Sequence, residues 1–317
     1  MLTIGLLALL HIAAPPGGAV FREPQLAASR NLVALAFGSG NSIFVSTSTD
    51  KGRKFSPPVK VYEGGIVPLS RHRGPRVVIS RGTIIVTAVV GHTAEQGLHA
   101  HGMAADGDLI AWRSTDGGKT WRGGVRINDV PAAAREGLHT LAADGHGKLF
   151  SAWLDLRAKG TRLYGAYSND FGATWSPNIL IYASPDGTIC QCCHPSAAFS
   201  QTGELAVMWR NCLGESRDLY LAEAKDGQHF GTPQKLGNGT WMINACPWTA
   251  AVWLSTGIES LPHGDVTEAS TWISREVPRR SLVKAKTSRW LPRMAAFTWR
   301  GLTTRGWKFG AQERSAR

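Results

Sequence analysis

The octapeptide Ser114-Thr115-Asp116-Gly117-Gly118-Lys119-Thr120-Trp121 sets the organisation of this chain. It recurs as Ser168-Asn169-Asp170-Phe171-Gly172-Ala173-Thr174-Trp175 and, more loosely, as Ser48-Thr49-Asp50-Lys51-Gly52-Arg53-Lys54-Phe55. Each copy follows a strand-like alternating run: Asp108–Arg113, Arg162–Tyr167 and Ser42–Thr47. Each also precedes another short apolar run, such as Val59–Tyr62. The pattern is strand, tight turn, strand. Asp offers acceptors to the turn's own backbone, Gly tolerates positive φ, and the closing aromatic packs under the sheet.

Upstream of each turn the similarity continues, giving a unit of about fifty residues with four strands. The first unit runs from Phe21-Arg22-Glu23-Pro24-Gln25-Leu26 through Asn31–Phe37 and Ser42–Thr47 to Val59–Tyr62. The second opens at Arg73-Gly74-Pro75-Arg76-Val77 and continues through Thr83–Val90 and Asp108–Arg113 to Val125–Asn128. The third opens at Glu136-Gly137-Leu138-His139 and includes Lys148–Leu154, Arg162–Tyr167 and Ile179–Tyr182. The fourth opens at Cys193-His194-Pro195-Ser196 and includes Glu204–Arg210, Asp218–Ala222 and Gln234–Leu236. Its turn, Glu223–Phe230, keeps only the Gly and the aromatic of the motif.

S-x-D-x-G-x-T-W resembles the Asp-box of sialidases (neuraminidases) and other BNR-repeat proteins, where it joins the third and fourth strands of propeller blades. The resemblance covers roughly residues 20–247 and implies an all-β, six-bladed β-propeller of sialidase type. Four blades are readable, and the C-terminal third is defective or out of frame. Phe21-Arg22-Glu23-Pro24 is similar to the Phe-Arg-Ile-Pro motif of sialidases. Carried over, Arg22 would be the first of three arginines that hold a sialic-acid carboxylate. The family's Asp and Arg between strands two and three of the first blade have no counterpart in Gly38-Ser39-Gly40-Asn41. The family's catalytic Tyr and its Glu partner are not matched either. Many propellers with this turn catalyse nothing, and a fold does not dictate an activity.

Aligned blade openings place Arg22, Arg73, Glu136 and Cys193 at one position, and Arg76, His139 and Ser196 at another. In a propeller these positions converge on the mouth of the central channel, joined by Arg71 and His72. Loops between second and third strands add His92, His99, His101, Asp155, Arg157, Arg210 and Asn211 to the same face. Guanidinium groups gathered on one axis suit a carboxylate held bidentately. The substrate-binding set expected from this is Arg22, Arg71, Arg73, Arg76, His139, Arg157 and Arg210. Glu136 is the catalytic candidate, as acid/base or its partner. A second reading has these arginines paired with Glu23, Glu136 and Asp155 to tie blades together. Asp50, Asp116 and Asp170 lie on the opposite face and are structural.

The expected function is a sialidase-like glycosidase, an exo-α-sialidase-type hydrolase of an acidic sugar. The alternative is a non-catalytic exported propeller that binds carbohydrate or protein. No nucleic-acid partner and no membrane span are expected. Met1–Ala14, followed by Pro15-Pro16-Gly17-Gly18-Ala19, reads as an export signal over residues 1–19, although a basic n-region is missing. It implies a secreted or periplasmic protein. No cofactor and no metal are expected. Thiolates and imidazole in Cys190-Gln191-Cys192-Cys193-His194 suit zinc or copper, yet adjacent Cys192 and Cys193 fit poorly around one tetrahedral ion. A disulfide from Cys193 or Cys192 to Cys246, joining blades four and five, is expected instead.

The formal charge is +12, and residues 248–317 hold twelve Lys/Arg against five Asp/Glu. The blade pattern stops at Pro247, and six of the twelve tryptophans follow it. One reading of 248–317 is a separate basic module that binds acidic surfaces. The other is a shift of coding frame near Pro247.

Overall fold

The computed structural model describes residues 20–96 and 102–245. The expectations for residues 1–19, His99, His101, Cys246 and the segment 248–317 lie outside the described residues, as do blades five and six.

Among the described residues every regular element is a strand, and the strands form four antiparallel four-stranded sheets. The first contains β1 (Arg22–Ser29), β2 (Leu32–Ser39), β3 (Ser42–Ser48) and β4 (Val59–Glu63). The second contains β5 (Arg76–Ser80), β6 (Thr83–Val90), β7 (Asp108–Ser114) and β8 (Arg122–Arg126). The third contains β9 (His139–Ala143), β10 (Leu149–Asp155), β11 (Arg162–Ser168) and β12 (Ile179–Tyr182). The fourth contains β13 (Ser196–Phe199), β14 (Leu205–Arg210), β15 (Leu219–Ala224) and β16 (Gln234–Lys235). Strand order follows chain order in all four, and the first strands pack in series: β1 on β5, β5 on β9, β9 on β13. The architecture is a β-propeller.

The core lies between blades. Ala36, Ile43 and Val45 pack with Val77, Ile84 and Val86; Leu109 and Ala111 with Trp153 and Ala166; Phe150 and Leu154 with Val207 and Trp209. The middle strands β10 and β14 are buried along their whole length. Covered on both faces, they read as continuous apolar runs rather than alternating ones.

The repeated turn is built the same way three times. Ser114 Oγ donates to Asp116 Oδ1 at 2.7 Å and accepts from Gly118 N at 2.9 Å, and Asp116 Oδ1 accepts from the Lys119 and Thr120 amides. Ser48–Asp50 and Ser168–Asp170 repeat the arrangement. The Thr120 hydroxyl and amide, with Ser114, hold the Asp116 carboxyl well below the usual carboxylate range.

The turns of blades two, three and four also dock on the preceding blade. Thr47 Oγ1 of β3 donates to the Gly117 carbonyl, Arg113 Nη1 of β7 to the Asp170 carbonyl, and Tyr167 Oη of β11 to the Gln228 carbonyl. The fourth turn corrects the sequence reading. Asp226 is retained as the acceptor, taking the Gln228 and His229 amides at 2.8 and 2.7 Å in a shorter loop. β8 is also displaced from the expected Val125–Asn128. Gly123, at φ 134°, brings the strand in early, at a spot where a Cβ would lie 2.5 Å from the Ala111 carbonyl oxygen.

Candidate functional site

Register defines the face that carries the site. Arg76, His139 and Ser196 are the first residues of β5, β9 and β13 and pair with Thr87, Trp153 and Met208 of the following strands. Arg73, Glu136 and Cys193 lie on the loops immediately ahead of them. The Ser-Asp-Gly turns leave from the far ends of the third strands, on the opposite face.

Blade one departs from this pattern. The register of β1 shifts between Arg22 and Gln25, and Glu23 sits at φ 51°. The bulge brings Glu23, not Arg22, against the second blade. A Cβ on Gly74, at φ 133°, would lie 2.6 Å from the Glu23 Cβ, so that contact needs glycine. Arg22 itself is exposed.

Arg73 and Arg76 are 2% and 8% exposed. Arg73 Nε donates to the Glu136 carbonyl oxygen at 2.6 Å, and its Nη2 meets the Glu136 carboxylate at 3.4 Å. Arg73 Nη1 is buried with no hydrogen-bond partner among the described residues. Arg76 donates to the carbonyls of Pro75 at 3.0 Å and His72 at 2.6 Å. Burial brings Arg76 down to about 10, opposed by Glu23. Burial also lowers Arg73 and raises Glu136, each opposed by the attraction between them.

Two imidazoles complete the group. His139 is fully buried, with Nε2 3.0 Å from Thr87 Oγ1, and burial together with the Arg76 charge lowers it to about 3. The His194 ring lies 5.4 Å from that of His72, and burial, then Arg76, holds it well below the ordinary histidine value. Both imidazoles are therefore neutral at pH 7. The mouth combines two buried guanidinium groups, two neutral imidazoles and a carboxyl that burial raises above the ordinary glutamate value.

The other expected ligands are engaged with protein partners or exposed. Arg157 forks onto Asp155 at 2.8 and 2.9 Å, reaches Asp129 at 2.9 Å and Asn178 at 2.7 Å, and lies 4.0 Å over the Tyr164 ring. Asp129 follows β8 and Asn178 precedes β12, so this side chain ties blades two and three. For Arg157 these contacts are those of the second reading, a tie between blades. Arg210 is likewise engaged inside blade four, donating to the Arg217 carbonyl and lying 4.9 Å over Trp241. Arg71, at φ 52°, is exposed and adds positive potential at Arg73.

The cysteines divide into one disulfide partner and three thiols among the described residues. Cys192 is in a disulfide, whereas Cys190, Cys193 and Cys212 are thiols. Of the two cysteines expected to pair, it is Cys192 that is in a disulfide, while Cys193 Sγ lies 3.5 Å from the Cys190 thiol. Cys190 and Cys193 have C-x-x-C spacing. The contact with Cys193 brings the Cys190 thiol down to about 7, helped by Arg210 and Arg217.

His194 was missed as a member of the mouth, and Glu23 entered the sequence reading only as a carboxylate that ties blades through these arginines. The bulge that turns Glu23 inward has no sequence marker beyond Pro24. His194 was legible as a neighbour of Ser196 on the blade opening.

No family model and no curated protein matches this sequence. Among solved structures, an α-L-arabinanase of Penicillium chrysogenum, complexed with arabinobiose, is 15% identical over 70% of this chain and 69% of its own, with a TM-score of 0.46. The GH93 α-L-arabinofuranosidase of Fusarium graminearum is 14% identical over 71% and 69%, with a TM-score of 0.47. A Trypanosoma rangeli sialidase is 15% identical over 69% of this chain and 39% of its own, with a TM-score of 0.47. These likenesses are of fold, at low identity.

Proposed function

We propose that the mouth at Arg73 and Arg76 binds an acidic sugar through its carboxylate, and that the chain is a sialidase-like glycoside hydrolase with Glu136 as proton donor. One observation carries this reading: Arg73 is buried beside buried Arg76, with Nη1 left unbonded among the described residues while Nε and Nη2 are held by Glu136. A fixed guanidinium with an unused N–H is organised to receive a carboxylate oxygen. Glu136 suits proton donation because burial favours its protonated form at higher pH than an exposed carboxyl allows.

A fluorogenic sialoside tests the reading. The wild type turns it over, and Glu136→Gln and Arg76→Met each lose that turnover. Absence of turnover by folded wild-type protein removes the hydrolase. The second reading, a non-catalytic propeller that binds an acidic glycan, is favoured by the loop Gly38–Asn41, which supplies no carboxylate. Glycan binding without turnover selects it.

A further inference from the structure

The sulfurs of Cys190, Cys192 and Cys193 lie within one small triangle. Their Sγ separations are 3.4 Å (190 to 192), 3.5 Å (190 to 193) and 3.8 Å (192 to 193), and all three residues are buried. Three sulfurs bound at about 2.3 Å around a tetrahedral ion lie about 3.8 Å apart. The observed triangle is close to that face. The disulfide takes only Cys192 of the three, so a disulfide does not account for the closeness of Cys190 and Cys193.

The loop that presents them is anchored at both ends. Ile189 N donates to the Thr161 carbonyl at 3.1 Å and Cys190 N to the Arg210 carbonyl at 3.2 Å, with Pro195 and β13 following directly. Arg210 and Arg217 place positive charge near Cys190, which offsets the charge of several thiolates in a buried position. Sulfur donors select soft or borderline cations over hard ones.

We infer that Cys190, Cys192 and Cys193 form a three-sulfur site for a thiophilic cation, Cu(I) or Zn(II), when the Cys192 disulfide is reduced. A dithiol such as dithiothreitol supplies the two electrons and two protons. Its own sulfurs join as a disulfide, while Cys192 and its former partner become thiols. On binding, the coordinating thiols release their protons to solvent and their sulfurs bond the ion. Cys212 is outside the triangle, its Sγ directed to the Gly214 carbonyl oxygen at 3.7 Å. The site is independent of the acidic-sugar reading.

The test uses the full chain, reduced with dithiothreitol, freed of reductant under nitrogen and titrated with Cu(I) against bathocuproine disulfonate. A parallel arm titrates Zn(II) against 4-(2-pyridylazo)resorcinol. The wild type and Cys212→Ser retain one equivalent of one of these ions, and Cys190→Ser and Cys193→Ser bind it at least tenfold more weakly. Retention of neither ion by the wild type, or equal affinity in both variants, overturns the site. If a serine variant does not fold, the wild type alone answers by alkylation and peptide mass spectrometry. The ion protects Cys190 and Cys193 from iodoacetamide if the site exists, and unchanged labelling of both overturns it.

Discussion

Arg73 holds Glu136 twice, through its backbone carbonyl at 2.6 Å and through its carboxylate at 3.4 Å, across the boundary between blades two and three. The carboxylate takes Nη2 of the guanidinium whose Nη1 an acidic ligand would use, so protein and ligand compete for one positive charge. Glu136→Gln removes the competing charge and the transferable proton together. We predict that it binds N-acetylneuraminic acid more tightly than the wild type while turnover of a sialoside falls by roughly 10²-fold or more. Calorimetry and a rate assay on one preparation check both signs. Weaker binding in Glu136→Gln would contradict the competition.

Arg157 provides the contrast. Its partner Asp155 is fully buried, also accepts from Trp153 Nε1 at 2.8 Å, and would be left unpaired in Arg157→Ala. Removing one member of a buried pair costs about 3–5 kcal/mol. Arg157→Lys keeps the charge but loses the planar fork and the stacking on Tyr164, so it too melts lower. Acidic-sugar affinity of the lysine variant, measured below its melting transition, stays at the wild-type value. A loss of affinity with no loss of stability would place Arg157 in the binding site.

Gly117 and Gly118 separate backbone strain from packing. Both have positive φ, 75° and 87°, but a Cβ at Gly117 meets nothing within 4 Å, whereas one at Gly118 would lie 2.8 Å from Thr47 Cγ2. Gly117→Ala should cost about 1–2 kcal/mol from the left-handed backbone alone. Gly118→Ala should cost more, because the turn must also move off blade one. Urea denaturation of the two variants gives the difference directly, and equal losses would mean that the turn does not bear on Thr47.

Acid sensitivity should follow the buried imidazoles. His139 falls from 6.5 when unfolded to about 3 when folded, so between those values the unfolded chain takes up a proton that the native chain refuses. That contribution is complete above pH 6.5 and is lost as pH falls through the window. His194 has the same sign, and Asp116 and Asp226 act only below 3.8. Glu136 has the opposite sign, since its carboxyl is raised from 4.5. Melting temperatures measured from roughly pH 7 down to pH 4 should decline in the wild type and decline less steeply in His139→Gln. Parallel slopes would show that His139 is not buried neutral.

Much of the blade grammar was legible because it is written in residue types. Ser, Asp and Gly at fixed offsets specify the turn's hydrogen bonds locally, and the alignment of Arg76, His139 and Ser196 fell on the first residue of three inner strands. What failed depended on distant neighbours. The fourth turn kept its Asp226 but lost a residue of spacing, and β8 begins at Arg122 and runs through Gly123-Gly124, which reads as a breaker. Arg157 and Arg76 look alike in sequence. One forks onto carboxylates from its own and the adjacent blade, while the other meets only backbone carbonyls, and that difference exists only after the blades pack.

The account rests on Arg73 and Arg76 acting together as a carboxylate receptor. The most direct measurement is calorimetric titration of the full chain with N-acetylneuraminic acid and, separately, with its methyl ester, in the wild type and in Arg76→Met. The acid should bind the wild type, with the ester at least tenfold weaker and the preference for the acid abolished in Arg76→Met. Equal affinity for acid and ester in the wild type, or an undiminished preference in the variant, would contradict it.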